Sequence, residues 1–122
     1  MRFLFTAVLA FGFVLASVPG LKAEWRSGDS FSQAVPEAGA TSSNGTVYLL
    51  SGSSGTGFKR FFEAYNIVED GWRPLTPIPV DRTQFAVAAG SGQIVVTGGR
   101  VAGTSEATKS SWMFSTAKSY WT

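Results

Sequence analysis

Trp25, Trp72 and Trp121 stand 47 and 49 residues apart, and that period constrains the fold more than any other feature of the chain. Gly52 and Gly99 repeat at 47, and Tyr65 and Phe114 at 49. In both units the aromatic precedes its tryptophan by seven residues, Tyr65 to Trp72 and Phe114 to Trp121. A period near 50 residues marks a supersecondary unit that cannot bury its apolar face alone and must stack on a neighbour. Two segments align across the period. Asn44–Gly52 (NGTVYLLSG) matches Ser91–Gly99 (SGQIVVTGG), and Tyr65–Trp72 (YNIVEDGW) matches Phe114–Trp121 (FSTAKSYW).

Each unit reads as four short antiparallel strands, rich in β-branched and aromatic residues and bounded by Gly, Ser, Asn or Pro. The first unit is expected to place them at Gly39–Ser43, Thr46–Ser51, Phe61–Ile67 and Trp72–Leu75. The second is expected to use Gln84–Ala89, Gln93–Thr97, Ser111–Ser115 and a strand starting at Tyr120. Asn44-Gly45 is a two-residue hairpin signal, because both residues tolerate positive φ, and Ser91-Gly92 takes the same place in the second unit. Hairpin use also explains Asn44 better than the glycosylation pattern Asn44-Gly45-Thr46 does. Pro74, Pro77 and Pro79 predict an extended, unpaired exit from the first unit. Ala86, Ala88 and Ala89 suit an innermost strand where neighbouring units crowd. The aromatics of the repeat are expected to be core between units rather than ligand contacts.

The stretch Tyr65–Gly99 runs from an aromatic strand end through Trp72, a Pro-rich turn and Arg82 to a small-residue strand and Gly98-Gly99. In that order of parts the chain resembles the kelch β-propeller family. The resemblance implies an all-β fold: a kelch-type β-propeller represented by two four-stranded antiparallel blades of an incomplete ring. The blades would cover about 38–76 and 83–122 within a kelch region of 24–122, and Trp25 would belong to an orphan closing strand. Gly52, Tyr65, Trp72, Gly98, Gly99, Phe114 and Trp121 would be its structural anchors. Three departures stand out. Ser51-Gly52 replaces the glycine pair, Phe114 replaces the tyrosine, and Arg82 has no counterpart in the first unit. Closed propellers use about four to eight blades. The expectation is therefore an N-terminal piece of a longer propeller, or else a chain that completes a ring by self-association.

The first 23 residues have the layout of a cleaved secretory signal. Met1-Arg2 is followed by the apolar run Phe3–Val18, a Pro19-Gly20 break and Ala23. The run is shorter than the roughly 20 apolar residues of a spanning helix. A secreted or periplasmic location is expected, with no stable membrane span after cleavage. Composition removes whole function classes. Without Cys or His there are no disulfides, thiolate nucleophiles, imidazole bases or common zinc and copper sites, so no metal or cofactor is expected. Ten Lys+Arg against eight Asp+Glu leave no basic field for nucleic acid.

Binding is expected in the loops between second and third strands and between units, which open on one face: 53–60, 100–110 and 76–82. Arg82 and Arg100 are expected near the axis on that face, with Lys59 and Arg60 further out. Guanidinium groups there suit a carboxylate by paired hydrogen bonds. The plain alternative is that each arginine holds a loop or pairs an acid such as Asp81. The leading expectation is a secreted module binding a protein or carbohydrate ligand, acidic ones included. The alternative is enzymatic. The Gly52–Thr56 loop (GSSGT) and Arg82 with Gln84 are similar to periplasmic N-acetylneuraminate epimerases, kelch propellers that mutarotate sialic acid. That resemblance implies Arg82 on the sialate carboxylate, but no residue here supplies the acid/base such proton transfer needs. Glu63, Glu69, Asp70 and Asp81 show no dyad spacing, the Asp-box of sialidases is absent, and SGSSGTG lacks the Lys-Ser/Thr of a phosphate loop. A third alternative is a fragment without function of its own.

Overall fold

The computed structural model describes residues 24–32, 37–52 and 60–122. All regular structure among them is β. Two four-stranded antiparallel sheets follow each other along the chain. The first, blade 1, is β1 (Gly39–Ser43), β2 (Thr46–Ser51), β3 (Phe61–Asn66) and β4 (Gly71–Pro74), in the order β1-β2-β3-β4. A short ribbon pairs β5 (Arg82–Thr83) with β8 (Arg100–Val101). Blade 2 is β6 (Ala86–Gly90), β7 (Gln93–Thr97), β9 (Ser111–Ser115) and β10 (Tyr120–Trp121), running β6-β7-β9-β10. The units pair internally and form two separate meanders.

The hairpins obey their sequence. Asn44 and Gly45 have φ of 49° and 73°, and Ser91 and Gly92 have 50° and 73°. Both central residues are left-handed, as a two-residue turn matched to strand twist requires. Register then fixes which side chains share a face. In blade 1, Tyr48 lies opposite Ala64 and Leu50 opposite Phe62, and all four are buried. In blade 2, Ile94 lies opposite Phe114 and is buried with it, as is Val96. These two faces meet in one core. Phe62 makes an edge contact with Phe114 at 4.9 Å and packs on Trp121 at 5.5 Å. Burying a side chain of this size stabilises by about 1.5–3 kcal/mol.

The Pro-rich exit, 75–81, contains no strand and fills the seam between the blades. Ile78 is fully buried there, and Leu75 and Val80 pack against the same core. The proline at each end of Ile78 keeps this stretch out of any ladder, so it is free to serve both sheets.

Two expected features differ in the structure. The inner strand of the second unit starts at Ala86 rather than Gln84. Gln84 has φ of 54°, which no strand residue can adopt, so Arg82-Thr83 are split off into the ribbon with β8. Trp25 lies in no strand and is fully exposed at 103%. Asp29 and Phe31 carry the same 47-residue offset as Trp25 into the leading segment. Trp121 donates from its indole Nε1 to the Thr76 carbonyl at 2.8 Å, and Trp72 donates in the same way to the Asp29 carbonyl at 3.0 Å. Phe31 packs on Trp72 and Phe61, both at 5.1 Å. One repeat separates Asp29 from Thr76 and Phe31 from Ile78. Segment 24–32 therefore lies on blade 1 as the Pro-rich exit lies on blade 2.

Candidate functional site

The rim that carries the inter-strand loops is built from Arg60, the 76–85 segment and the 98–110 loop. Residues 53–59 lie outside the described residues, and with them Lys59. The three remaining candidate arginines have well-defined partners.

Arg82 is 5% exposed. Its Nη1 donates to the carbonyls of Gly98 at 3.0 Å and Ser110 at 3.2 Å, and its Nη2 donates to Ser110 Oγ at 2.6 Å. Its Nε is buried without an acceptor. The backbone of β5 is tied as well, since Arg82 N–H donates to the Gly52 carbonyl at 2.6 Å. Gly52 must be glycine for this approach: a Cβ there would collide with the Arg82 carbonyl. Arg82 thus joins the end of β2 in blade 1 to both ends of the 98–110 loop in blade 2.

Arg100 is exposed and faces the other way. It lies opposite Thr83 while Arg82 lies opposite Val101, so alternation puts the two side chains on opposite faces of the ribbon. The Arg100 Nε donates to Gln84 Oε1 at 3.1 Å and its Nη1 to the Ser105 carbonyl at 2.6 Å. The two arginines share the rim, as their places in the repeat imply, but not the same side of it. Arg60 is half-exposed. It pairs with Asp81 at 3.3 Å and donates to the Ile78 carbonyl at 3.3 Å. An ion pair this exposed contributes little stability by itself. Its effect is positional, because it pins the Pro-rich exit beside β3.

The 98–110 loop is ordered by its own backbone. Val101 N–H donates to Glu106 O at 3.0 Å, Thr108 N–H to Gly99 O at 3.0 Å, and Gly98 N–H to Ser110 O at 3.2 Å. Gly98 and Gly99 turn the chain with φ of 66° and 87°. At Gly99 a Cβ would sit 2.5 Å from the Thr83 carbonyl, so the glycine allows the ribbon to close.

A second polar cluster lies on the opposite rim, at the margin of blade 1, and sequence reasoning did not single it out. The Tyr65 hydroxyl donates to Asp70 Oδ1 in a short hydrogen bond, and Asp29 N–H donates to the same oxygen at 2.7 Å. The Tyr65 hydroxyl bond, then the Asp29 amide, hold the Asp70 carboxyl below the usual carboxylate range. The bond to Asp70 in turn raises the Tyr65 phenol above its usual value. Asp70 was an acid without a paired acid in the sequence, and its φ of 52° gives the local signal of a tight turn.

Among the described residues no group of three or more His, Cys, Asp or Glu could hold a metal. Among them, too, no helix is long and apolar enough to cross a membrane. No protein-family model and no curated protein matches the chain.

Proposed function

We propose that the chain is a pair of kelch-type propeller blades, exported from the cell, that binds a protein or carbohydrate ligand through the rim bearing Arg60 and Arg100. The observation that carries this reading is the repeated Trp-to-carbonyl hydrogen bond, Trp72 to Asp29 and Trp121 to Thr76. It makes two successive four-stranded sheets equivalent down to one atom pair, which is how a radially repeated scaffold is built. A rigid repeat with long loops on one rim is suited to a binding platform. Arg82 is too deeply committed to Gly98 and Ser110 to reach a ligand. Arg100 and Arg60 are exposed, and each guanidinium is held by two partners, so little side-chain entropy is lost when an acid arrives.

Titration calorimetry of the purified chain against anionic and neutral sugars, N-acetylneuraminate among them, tests the reading. Acidic ligands should bind more tightly, and Arg100→Ala should weaken them by roughly tenfold. Equal affinity for acidic and neutral ligands, unchanged in Arg100→Ala, would remove the rim from consideration. Mutarotation of sialic acid by the chain would favour the enzymatic alternative instead. Export is checked separately, by N-terminal sequencing of secreted material, which should begin at or near Glu24.

A further inference from the structure

The hairpin turns at 44–45 and 91–92 stand near each other on the rim opposite the arginines, because the inner strands β1 and β6 are neighbours. Each turn is fastened within its own blade. Ile67 N–H donates to the Gly45 carbonyl at 3.2 Å. One unit on, Thr116 N–H and the Thr116 hydroxyl donate to the Gly92 carbonyl at 3.0 and 2.9 Å. Between the turns lies a cleft of about 70 Å³. Its polar lining is Ser43, Asn44, Thr46 and Tyr48 from blade 1 and Gln93 and Thr116 from blade 2. Tyr48 is 7% exposed, and its ring packs on Phe62 at 6.0 Å inside the core. Among the described residues its hydroxyl has no hydrogen-bond partner, yet it is not sealed from solvent. The cleft is the opening that Tyr48 lines, so the hydroxyl is presented there. The matching position in blade 2 is Val95, so the repeat does not call for a phenol.

We propose that this cleft binds the edge of a neutral carbohydrate ring, with the Tyr48 hydroxyl bonded to a sugar hydroxyl. The lining sets the chemistry. All six polar side chains are hydroxyls or amides, which both donate and accept, as a sugar hydroxyl requires of its partners. None is charged, so an ionised group entering the cleft would lose hydration without a counter-charge. An apolar ligand would leave the Tyr48 hydroxyl unmet, and a buried polar group without a partner is costly. The size agrees. A water needs about 10–15 Å³ of such space, so the cleft admits one or two hydroxyls on a ring edge rather than a whole ring. Because both turns are tied to their own blades, the cleft is formed before the ligand arrives, and little ordering is needed on binding. The site is separate from Arg60 and Arg100 and stands whether or not they bind an acid.

Amide NMR spectra of the purified chain, titrated with the methyl glycosides of glucose, galactose and mannose, test the proposal. At least one of these neutral sugars should shift the Gly92, Gln93 and Thr116 amides with a millimolar midpoint. N-acetylneuraminate, the charged comparator, should leave those amides in place. Tyr48→Phe removes the hydroxyl and keeps the ring. It should weaken the neutral sugar by roughly tenfold while the thermal midpoint does not fall, since no bond within the described residues is lost. Asn44→Gly keeps the left-handed turn, removes the amide and should weaken the same sugar. Absence of any shift at the cleft with all three glycosides overturns the proposal, as do shifts confined to residues 100–110. A titration that survives both substitutions overturns it too. A Tyr48→Phe chain that melts lower but binds as before would make the hydroxyl a structural group held through water, and N-acetylneuraminate shifting the cleft as strongly would overturn the assignment of a neutral ligand.

Discussion

Blades 1 and 2 share one plan, yet the equivalent aromatic pairs end up in different surroundings. Phe114 and Trp121 pack against each other at 5.2 Å inside the core, and Phe114 is 1% exposed. Tyr65 and Trp72 pack at 5.1 Å on the outer side of blade 1, where only segment 24–32 covers them among the described residues. The chemistry follows the surroundings. The half-exposed position has a hydroxyl and gives it to Asp70. The buried one has none, and the residue matching Asp70 is Ser119, which keeps the left-handed turn with φ of 57° but carries no charge. A phenol at 114 would need a partner in an apolar seam, and an unpaired hydroxyl there costs about 1–3 kcal/mol. One repeat thus supports two kinds of face, a dry one between blades and a wetter one at the margin.

The comparison predicts its own largest effect. Phe62→Ala removes the ring that touches both Phe114 and Trp121 and should cost about 3–5 kcal/mol in denaturant unfolding. Phe114→Ala should cost a similar amount, whereas Tyr65→Ala should cost clearly less. Equal losses at 114 and 65 would mean that the outer face of blade 1 is as well covered as the junction, and the contrast would break.

Arg82→Met is next in size. It keeps the aliphatic stem but leaves the carbonyls of Gly98 and Ser110 without their shared donor. The expected loss is about 1–3 kcal/mol of stability, with affinity for acidic ligands unchanged. Loss of ligand affinity without loss of stability would reverse the assignment of Arg82. The glycines rank below it. Gly99→Ala combines φ of 87° with a 2.5 Å approach to the Thr83 carbonyl, while Gly45→Ala has φ of 73° and open space. Gly45→Ala should cost about 1 kcal/mol and Gly99→Ala more. Thermal midpoints of the two variants give the order directly.

Much of the β architecture was legible before any coordinates. The Trp period, the Asn44-Gly45 and Ser91-Gly92 turns and the alternation in β2 and β7 place all eight blade strands to within a residue or two. What escaped is made of backbone. The partners of Trp72 and Trp121 are carbonyls of Asp29 and Thr76, and a carbonyl has no sequence signature, so neither residue type announces the bond. The position of Arg82 in the repeat points to a rim but is silent about the side its guanidinium faces. The side is decided by the β5–β8 pairing, two residues per strand, which is too short to show alternation in sequence. Gln84, whose left-handed φ breaks the inner strand, is not a residue type that announces such a turn.

The smallest effect is the most specific to the contrast between faces. In blade 1 the Asp70 carboxylate accepts from the Tyr65 hydroxyl and from the Asp29 amide, so segment 24–32 is fastened at a group that titrates. Blade 2 has Phe114 and Ser119 in those places and nothing to titrate. Asp70 is held below the ordinary carboxylate value of about 4. A lowered acid contributes its fastening above the unfolded value, and that contribution is lost as pH falls through the folded one. Tyr65 is raised above the ordinary phenol value of about 10, so its contribution is full below that value and disappears as pH climbs through the raised one. The docking of 24–32 should therefore hold across neutral pH and loosen at both extremes. Exchange of the Asp29 amide proton, corrected for intrinsic rate, reports it directly. Tyr65→Phe gives blade 1 the aromatic of blade 2, removes the alkaline limb and shifts the acid limb upward toward the ordinary carboxylate value. Protection of Asp29 that is flat with pH, or unchanged in Tyr65→Phe, would show that the indole of Trp72 and the ring of Phe31 hold the segment without the carboxylate.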